Sequence, residues 1–411
     1  MALPYTDALQ RLVDSLAARI RHSVAVDDER GSLVVCSRHY GDEDQLRIDV
    51  VLSRRLPAPV AEYLNGFGIA TSAAPRSIPG NPSLGLKDRR CYPIRDHGRL
   101  LGYLWLIDAH AERFDEVAAD CVVQLSARLR EWSLRVTEEE KRRRALVADL
   151  LHGGEGSARA ARDLVDQGLV GAEDEAVVIV AGPTTGPEAV AAAIEAATGR
   201  GGHDAPSARA LTAAVGDRGV VLVTGSRQGV ARAAEWWADE VRRGVRHREG
   251  EGGGVFVGLS NAGRLDEGPD LLRQAVLAAF AAAELPELAP VVSWRDTGVY
   301  GPLLLAATTS PELVVLPQIA GLSTGTRTDS LAHTAEVYLD AAGDSAAAAE
   351  QLMIHRTTLY YRLAQVENRT GWDLKNGRDR LTLHLGLKMQ RFLNSGIPAL
   401  LRGEDAQRES S

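Results

Sequence analysis

The chain has 411 residues, of which 45% are hydrophobic and 25% charged, an ordinary composition for globular protein but too long for a single core. Its longest apolar run, residues 275–283, is about half of what a membrane-spanning helix needs. The first residues lack the basic start and apolar stretch of a secretory signal, so we expect a cytoplasmic protein without a membrane partner. Three scattered cysteines, Cys36, Cys91 and Cys121, predict neither a disulfide framework nor a zinc site.

Charge is distributed unevenly along the chain. The whole sequence carries 47 Lys and Arg against 55 Asp and Glu, a net charge of -8. Residues 328–354 contain five acids and no Lys or Arg, whereas residues 355–391 contain eight bases and three acids, a local excess of +5. A surface that binds the phosphates of DNA is therefore expected only near the C-terminus. The rest of the chain is acidic, which discourages nonspecific binding to DNA.

The first 135 residues predict an α/β domain. A helical pattern is followed by four strand-like stretches, namely HSVAVDD (22–28), SLVVCSR (32–38), RRCYPIRD (89–96) and RLLGYLWLID (99–108). His97-Gly98 predicts the turn of a hairpin between the last two strands. The loop at residues 71–86, with three prolines and two glycines, is expected to cover a cavity as a lid and not to form a strand.

This order of helix, strands, variable loop, final hairpin with the strand GYLWLID and closing helix resembles a GAF sensory domain. The resemblance implies a small-molecule effector, or a partner, held in a cup under the loop. A domain kept only for packing and dimerisation remains the alternative.

A long helix follows, and we interpret residues 121–152 as a linker. Its apolar residues alternate spacings of four and three, as in a coiled-coil seam that is interrupted at Glu139 and Arg143. The seam residues are Leu125, Leu129, Trp132, Val136, Leu146 and Leu150. We therefore expect a homodimer or larger oligomer through this helix, which should end at the glycine pair after His152.

The middle segment, residues 160–300, alternates strands and helices in the order β-α-β-β-α-β before a last helix and strand. This order predicts a split βαβ, ferredoxin-like sheet. Its glycine-rich stretches lack the Lys-Ser/Thr of a phosphate-binding loop, so they do not indicate a nucleotide site. Residues 321–330 are polar and predict a hinge before the last domain.

Residues 328–395 predict a helix-turn-helix. The stretch LAHTAEVYLDAA forms an amphipathic helix that a glycine stops, and Asp344 or Ser345 can cap a short helix after it. A tight turn at residues 353–354 leads into a second helix over residues 356–367. Two short helices joined by such a turn are typical of DNA-binding proteins.

The second helix has two different faces. Leu359, Leu363 and Val366 recur at i, i+4 and i+7 and should face the core. The residues left to point outward are Arg356, Thr357, Tyr360, Tyr361 and Gln365. Their cationic, hydroxyl and aromatic groups suit base edges, thymine methyl groups and phosphates. A helical hairpin that binds protein through Tyr360 and Tyr361 is the alternative.

The stretch AAEQLMIHRTTLYYRL, followed by VENRTGWDL and RLTLHLGLK, resembles the C-terminal helix-turn-helix of PucR/CdaR-type bacterial regulators. In that family a His-Arg-x-Thr-Leu-x-Tyr-Arg-Leu run opens the recognition helix, and Thr357 stands where Asn is more usual. The resemblance implies double-stranded promoter DNA as the partner. The candidate DNA-binding residues are His355, Arg356, Thr357, Thr358, Tyr360, Tyr361, Arg362 and Gln365. Lys388 and Arg391 lie on the following helix and could reach only backbone phosphate, if they reach DNA at all.

The same resemblance implies a GGDEF-type nucleotide-cyclase fold for the middle segment, usually without the cyclase chemistry. Cyclisation needs carboxylates that hold Mg²⁺ against a triphosphate. Arg218 stands in the signature turn where an acid is needed, and the preceding strand AVVIVAG lacks the other metal-binding Asp. We therefore expect no enzyme activity, no metal and no cofactor.

The resulting hypothesis is a multidomain α/β plus all-α protein that regulates transcription in response to a ligand. Its parts are a GAF-like sensor (1–135), a coiled-coil linker helix (121–152), a degenerate GGDEF-like, CdaR-type domain (160–300), a helix-turn-helix bundle (328–395) and a disordered tail (396–411). A nucleotide-binding or cyclase-like signalling enzyme is one alternative, opposed by the missing carboxylates. A protein-interaction scaffold is the other, opposed by the basic excess in residues 355–391.

Overall fold

The structure is a computed structural model. It describes residues 6–53, 56–108, 110–182, 186–199, 208–216, 218–249, 255–285, 288, 290–309, 316–322 and 330–394. The chain divides into two compact units, residues 1–145 with 194–205 and residues 146–193 with 206–411. Among the described helices, none combines the length and the apolar composition that crossing a bilayer would require.

The first unit contains one antiparallel sheet. Its strands are β1 (Val24–Asp28), β2 (Leu33–Cys36), β3 (Arg76–Ile78), β4 (Arg89–Asp96) and β5 (Arg99–Ile107). They lie in the order β2-β1-β5-β4-β3. His97 and Gly98, with φ of 47° and 84°, form the predicted turn between β4 and β5, because a two-residue hairpin turn of this type needs both residues in the left-handed region.

Helices cover both faces of this sheet. They are α1 (Asp7–Ile20), α2 (Gln45–Ser53), α3 (Ala58–Asn65) and the first part of α4 (Asp115–His152). One core contains Leu9 of α1 and Leu129 of α4, whereas a second core, on the other side, contains Leu46 of α2 and Leu64 of α3. The sequence analysis did not predict α2 and α3, which are short and lie between irregular segments.

The loop at residues 71–86 contains regular structure, contrary to the expectation from the sequence. Within it, β3 pairs antiparallel with β4, and a 3₁₀ helix spans Pro82–Leu84. The side chain of Ile78 is fully buried in the second core. The expectation that this loop contains no strand was wrong, because one buried side chain and the open edge of β4 suffice to anchor a short strand.

The predicted coiled-coil seam does not face outward. Leu125, Leu129 and Trp132 are buried in the core of the first unit, and Leu150 is buried in the core of the second. The assignment of these residues to a subunit contact was therefore wrong. A spacing of four and three residues identifies an apolar helix face, and in this chain the protein's own cores cover that face.

The second unit contains another five-stranded sheet. Its strands are β6 (Glu175–Ala181), β7 (Arg209–Val215), β8 (Arg218–Gly225), β9 (Val257–Leu259) and β10 (Val291–Ser293). They lie in the order β10-β9-β6-β8-β7, with only the β10–β9 pair parallel among the described strands. The helices that follow α4 are α5 (Glu155–Asp166), α6 (Pro187–Gly199), α7 (Val230–Glu249), α8 (Gly268–Glu284), α9 (Tyr300–Thr309) and α10 (Pro317–Ala320). The predicted β-α-β-β-α-β order is present from β6 to β9.

The C-terminal region is helical. It consists of α11 (Leu331–Asp340), α12 (Ser345–Gln351), α13 (Arg356–Thr370) and α14 (Gly377–Asn394). These helices share an apolar core with Ile319 of α10. Most of the predicted hinge and the whole predicted tail, residues 396–411, lie outside the described residues.

Candidate nucleic-acid interface

The first two helices of the C-terminal region are held by local backbone signals. Ala342 and Gly343 have positive φ of 54° and 84°, and the Gly343 N–H donates to the Tyr338 carbonyl at 2.9 Å, which ends α11. The Asp344 carboxylate then accepts hydrogen bonds from the first backbone N–H groups of α12, at 2.7 and 3.2 Å. The glycine stop and the Asp344 cap follow the prediction. Ser345 instead lies 2.9 Å from the hydroxyl of Tyr360.

The turn between α12 and α13 is built on an unusual residue. Met353 has φ of 53°, and its N–H donates to Glu350 while the N–H of Ile354 donates to Ala349, both at 3.0 Å. This is a Schellman ending, in which glycine usually occupies the left-handed position. The Met353 side chain is 91% exposed beside the start of α13. The sequence analysis placed a tight turn at residues 353–354 but did not predict the left-handed backbone of Met353, because nothing in a methionine predicts positive φ.

The predicted recognition helix, α13, begins at the predicted residue. His355 is its N-cap, and Nδ1 of this residue accepts a hydrogen bond from the Thr357 N–H at 3.3 Å. Leu359, Leu363 and Val366 are buried, so the predicted core face is present. The helix runs three residues beyond the predicted end and stops at Gly371, which has φ of 74°.

The opposite face of α13 is exposed near its N-terminus. The exposed residues there are His355, Arg356, Thr357, Thr358, Tyr360 and Tyr361. Tyr361 is 67% exposed, and neither its hydroxyl nor the Arg356 guanidinium makes a hydrogen bond with any residue that the structure describes. The pKa of Asp344 is lowered by the two N–H groups it caps and, more weakly, by the charge of Arg356. The first turns of α13 therefore present a cation, hydroxyl groups and two aromatic rings to solvent.

Two candidate residues lie apart from this group. Arg362 is half-buried and donates to Oγ1 of Thr334, a buried residue of α11, at 3.3 Å. Gln365, one turn further along, is also half-buried. The structure thus brings six of the eight candidates together on one exposed surface, whereas the Arg362 side chain points towards α11.

The cations at the end of α14 are not available to phosphate in the way the sequence suggested. Lys388 is 2% exposed, and its Nζ lies 3.0 Å from Glu336 and 2.9 Å from Asp340, both on α11. Burial opposes ionisation of Lys388, but these two carboxylates outweigh it and raise its pKa. Arg391 donates to Glu336 at 3.4 Å and to the carbonyl of Glu284. The interpretation of Lys388 as a phosphate contact was wrong, because α11 supplies two acids that pair with it.

The comparisons with known proteins agree with this assignment of the C-terminal helices. Residues 331–389 match the family model of the PucR C-terminal helix-turn-helix domain. The chain is 38% identical over 65 residues to the purine catabolism regulatory protein of Bacillus subtilis, an alignment that covers 16% of this chain and 12% of that relative.

A solved structure also matches, a regulator of polyketide synthase expression from Bifidobacterium adolescentis. The match has 18% identity, covers 61% of this chain and 97% of the other, and has a TM-score of 0.29. The family model and the curated relative identify residues 331–389 as a PucR-type helix-turn-helix domain.

Proposed function

We propose that this protein is a sequence-specific regulator that reads promoter DNA through the N-terminal half of α13. The observation that carries the proposal is the contrast between the two sides of this helix. Leu359 and Leu363 fix one side in the core, while Tyr361 on the opposite side is 67% exposed and Arg356 in the exposed first turn makes no hydrogen bond or ion pair with a described residue. A helix held in this way can enter the major groove, which is wide enough to admit it.

The exposed groups suit the chemistry of base edges. The guanidinium of Arg356 can donate two parallel hydrogen bonds to guanine O6 and N7. The methyl groups of Thr357 and Thr358 can contact thymine, and the hydroxyl of Tyr361 can bind phosphate or a base edge. His355, as the N-cap, mainly holds the first turn in place, and Arg362 and Gln365 support the helix from its half-buried side.

The remaining parts of the hypothesis are proposals of the same kind. Helix-turn-helix proteins commonly pair across half-sites about 34 Å apart, and we propose a homodimer or larger oligomer. We propose that the first unit is a GAF-like sensor and the βαββαβ region a GGDEF-like spacer without cyclase activity. An effector that binds one arrangement of the paired sensors more tightly would shift the population of the DNA-binding arrangement.

A protein-binding surface is the second candidate function, and the pair of exposed tyrosines favours it. Tyr360 and Tyr361 are 57% and 67% exposed, and tyrosine is common at protein interfaces. Arg356 between the turn and these rings is compatible with either partner. Replacement of a tyrosine should weaken DNA binding if the surface binds DNA, and should change the oligomer mass if the surface binds protein.

A gel shift with Arg356→Ala tests the proposal. A lost bidentate contact costs about 1–3 kcal/mol, so we expect specific affinity for the operator to fall by roughly tenfold to a hundredfold. Arg369→Ala is the matched control, because it removes the same charge from an exposed position 13 residues further along the helix, about 20 Å away. The control should bind the operator with nearly the affinity of the original protein.

The DNA fragment should first be identified by mapping bound sites across the genome, and circular dichroism should confirm that each variant is folded. If folded Arg356→Ala binds an authentic operator with unchanged affinity and base preference, α13 does not read DNA as proposed. Tyr361→Ala separates the two candidate functions. Weaker gel shifts with an unchanged oligomer mass indicate a DNA surface, and the reverse indicates a protein surface.

A further inference from the structure

Helix α4 carries a second apolar feature, on the side opposite its buried leucines. Val123 and Leu134 are 71% and 61% exposed, although both are large apolar side chains. They stand 11 residues apart, about three full turns, so they point in nearly the same direction. Leu125 and Leu129 occupy the other side of the helix and lie in the core of the first unit.

A charged residue lies on the same line at each end of this apolar pair. Glu116 precedes Val123 by seven residues, and Lys141 follows Leu134 by seven. At about 100° per residue, all four side chains fall within roughly 20° of one another around the helix axis. We call these four residues the α4 stripe. It reads acid, valine, leucine, base, with spacings that are symmetric about its midpoint.

The two ends of the α4 stripe are available to a partner. Glu116 is exposed and makes no hydrogen bond or ion pair with a described residue. The Nζ of Lys141 lies 2.8 Å from Glu138, but these side chains are 66% and 70% exposed, and such a pair is weak enough to exchange. Near the midpoint, Arg130 donates to Asp96 at 3.1 Å, so its charge is balanced within the protomer.

The α4 stripe complements a second copy of itself when the two helices run antiparallel. In that arrangement Val123 lies opposite Leu134 of the second copy, and Glu116 lies opposite Lys141 of the second copy. Twofold symmetry makes each of these pairs occur twice. A parallel arrangement would instead place the two glutamates together and the two lysines together, and like charges repel. The order of charges therefore selects the antiparallel arrangement.

We propose that α4 of one protomer pairs antiparallel with α4 of a second copy of this chain through the α4 stripe. The contact lies on the face opposite the seam that the leucine spacing had suggested. The inference rests on the homodimer of the proposed function and names the surface that forms it.

The size of the contact sets its expected strength. From Glu116 to Lys141 the helix is about 38 Å long, and at a width of about 10 Å it covers roughly 400 Å² per protomer. This area is at the low end for specific interfaces, so we expect a dissociation constant in the micromolar range. Far below that concentration the chain is monomeric. Replacement of Leu134 should therefore weaken pairing without changing the unfolding of a dilute protomer.

Disulfide trapping with the full-length chain tests the direction of the helices. An equal mixture of the variants Val123→Cys and Leu134→Cys should form a covalent dimer on mild oxidation. Neither variant should do so alone, because in the antiparallel pair each new cysteine is about 16 Å along the axis from its own equivalent, too far for a disulfide. The original protein, with its three native cysteines, is the control.

Two kinds of substitution test the side chains by sedimentation without DNA. Val123→Asp places a carboxylate in the contact twice, and we expect the dissociation constant to rise at least about tenfold. Ile48→Asp is the control, because Ile48 is 45% exposed but belongs to α2 on the other side of the sheet. Glu116→Lys should raise the dissociation constant roughly threefold to tenfold, and addition of Lys141→Glu to that variant should restore it.

A covalent dimer from Val123→Cys alone would indicate parallel helices and overturn the inference. Absence of a mixed disulfide between folded variants would do the same, as would unchanged association of Val123→Asp. Light scattering of the original protein separates the proposals. A dimer that gives no mixed disulfide contradicts only the α4 contact, whereas a monomer at high concentration contradicts the homodimer as well. DNA binding by α13 is measured independently with Arg356→Ala.

Discussion

Helices α13 and α14 are neighbours in sequence and both are rich in arginine and lysine, yet they use these residues differently. At the start of α13, the exposed Arg356 guanidinium makes no hydrogen bond or ion pair with a described residue. Near the end of α14, Lys388 is buried against Glu336 and Asp340. One cation is available to a ligand, while the other holds α14 against α11.

The difference shows what a count of charges can and cannot predict. The excess of +5 over residues 355–391 correctly marks the part of the chain that contains the helix-turn-helix. It does not say which of the eight bases is free, because the acids that neutralise Lys388 come from the acidic stretch before it. The number of phosphates contacted must therefore be lower than the number of bases.

Helix α4 offers the same comparison between a buried and an exposed side chain, here with two leucines, and it should give the largest change in the free energy of unfolding. Leu129 is fully buried in the first core, whereas Leu134 on the same helix is 61% exposed. Leu129→Ala should lower the free energy of unfolding by about 2–5 kcal/mol, because it leaves a cavity. Leu134→Ala should change it by less than about 0.5 kcal/mol. Denaturant unfolding of both variants measures the difference, and equal effects would mean that Leu129 is not a core residue.

Removal of the buried cation on α14 should have the next largest effect. Lys388→Met removes the buried cation that Glu336 and Asp340 share and leaves them only Arg391 and His384 as partners. We expect a loss of about 2–3 kcal/mol in the free energy of unfolding. The value is at the low end for a buried pair because Asp340 is 40% exposed. The control is Lys375→Met, an exposed lysine of the same region, which should be nearly neutral.

The variant Lys388→Met also tests whether Lys388 contacts a DNA phosphate. When Lys388→Met is folded, the slope of log affinity for DNA against log salt should match that of the original protein. A cation that contacts phosphate would change this slope by about one unit when it is removed. A change of that size in Lys388→Met would show that this lysine contacts DNA after all.

The smallest effect concerns the turn that joins α12 to α13. Met353 adopts φ of 53°, a conformation that is unfavourable for a residue with a side chain. Met353→Gly should therefore raise the free energy of unfolding by about 0.5–1 kcal/mol. Gln351→Gly, two residues earlier within α12, should lower it by a similar amount. A destabilised Met353→Gly protein would indicate that the methionine side chain makes stabilising contacts.

The sequence by itself determined the local features of this protein. Apolar spacing identified the buried face of α13, the glycine and Asp344 identified the boundary between α11 and α12, and His97-Gly98 identified a hairpin turn. Each of these depends on interactions within a few residues, which composition and spacing express directly.

Only the tertiary structure decided what each helix face packs against. The periodic leucines of α4 predicted an apolar face, but a partner subunit and the protein's own sheet would produce the same spacing. The burial of Lys388 and the direction of Arg362 likewise depend on residues distant in the chain. Periodicity states which side chains share a face, and long-range packing determines what that face meets.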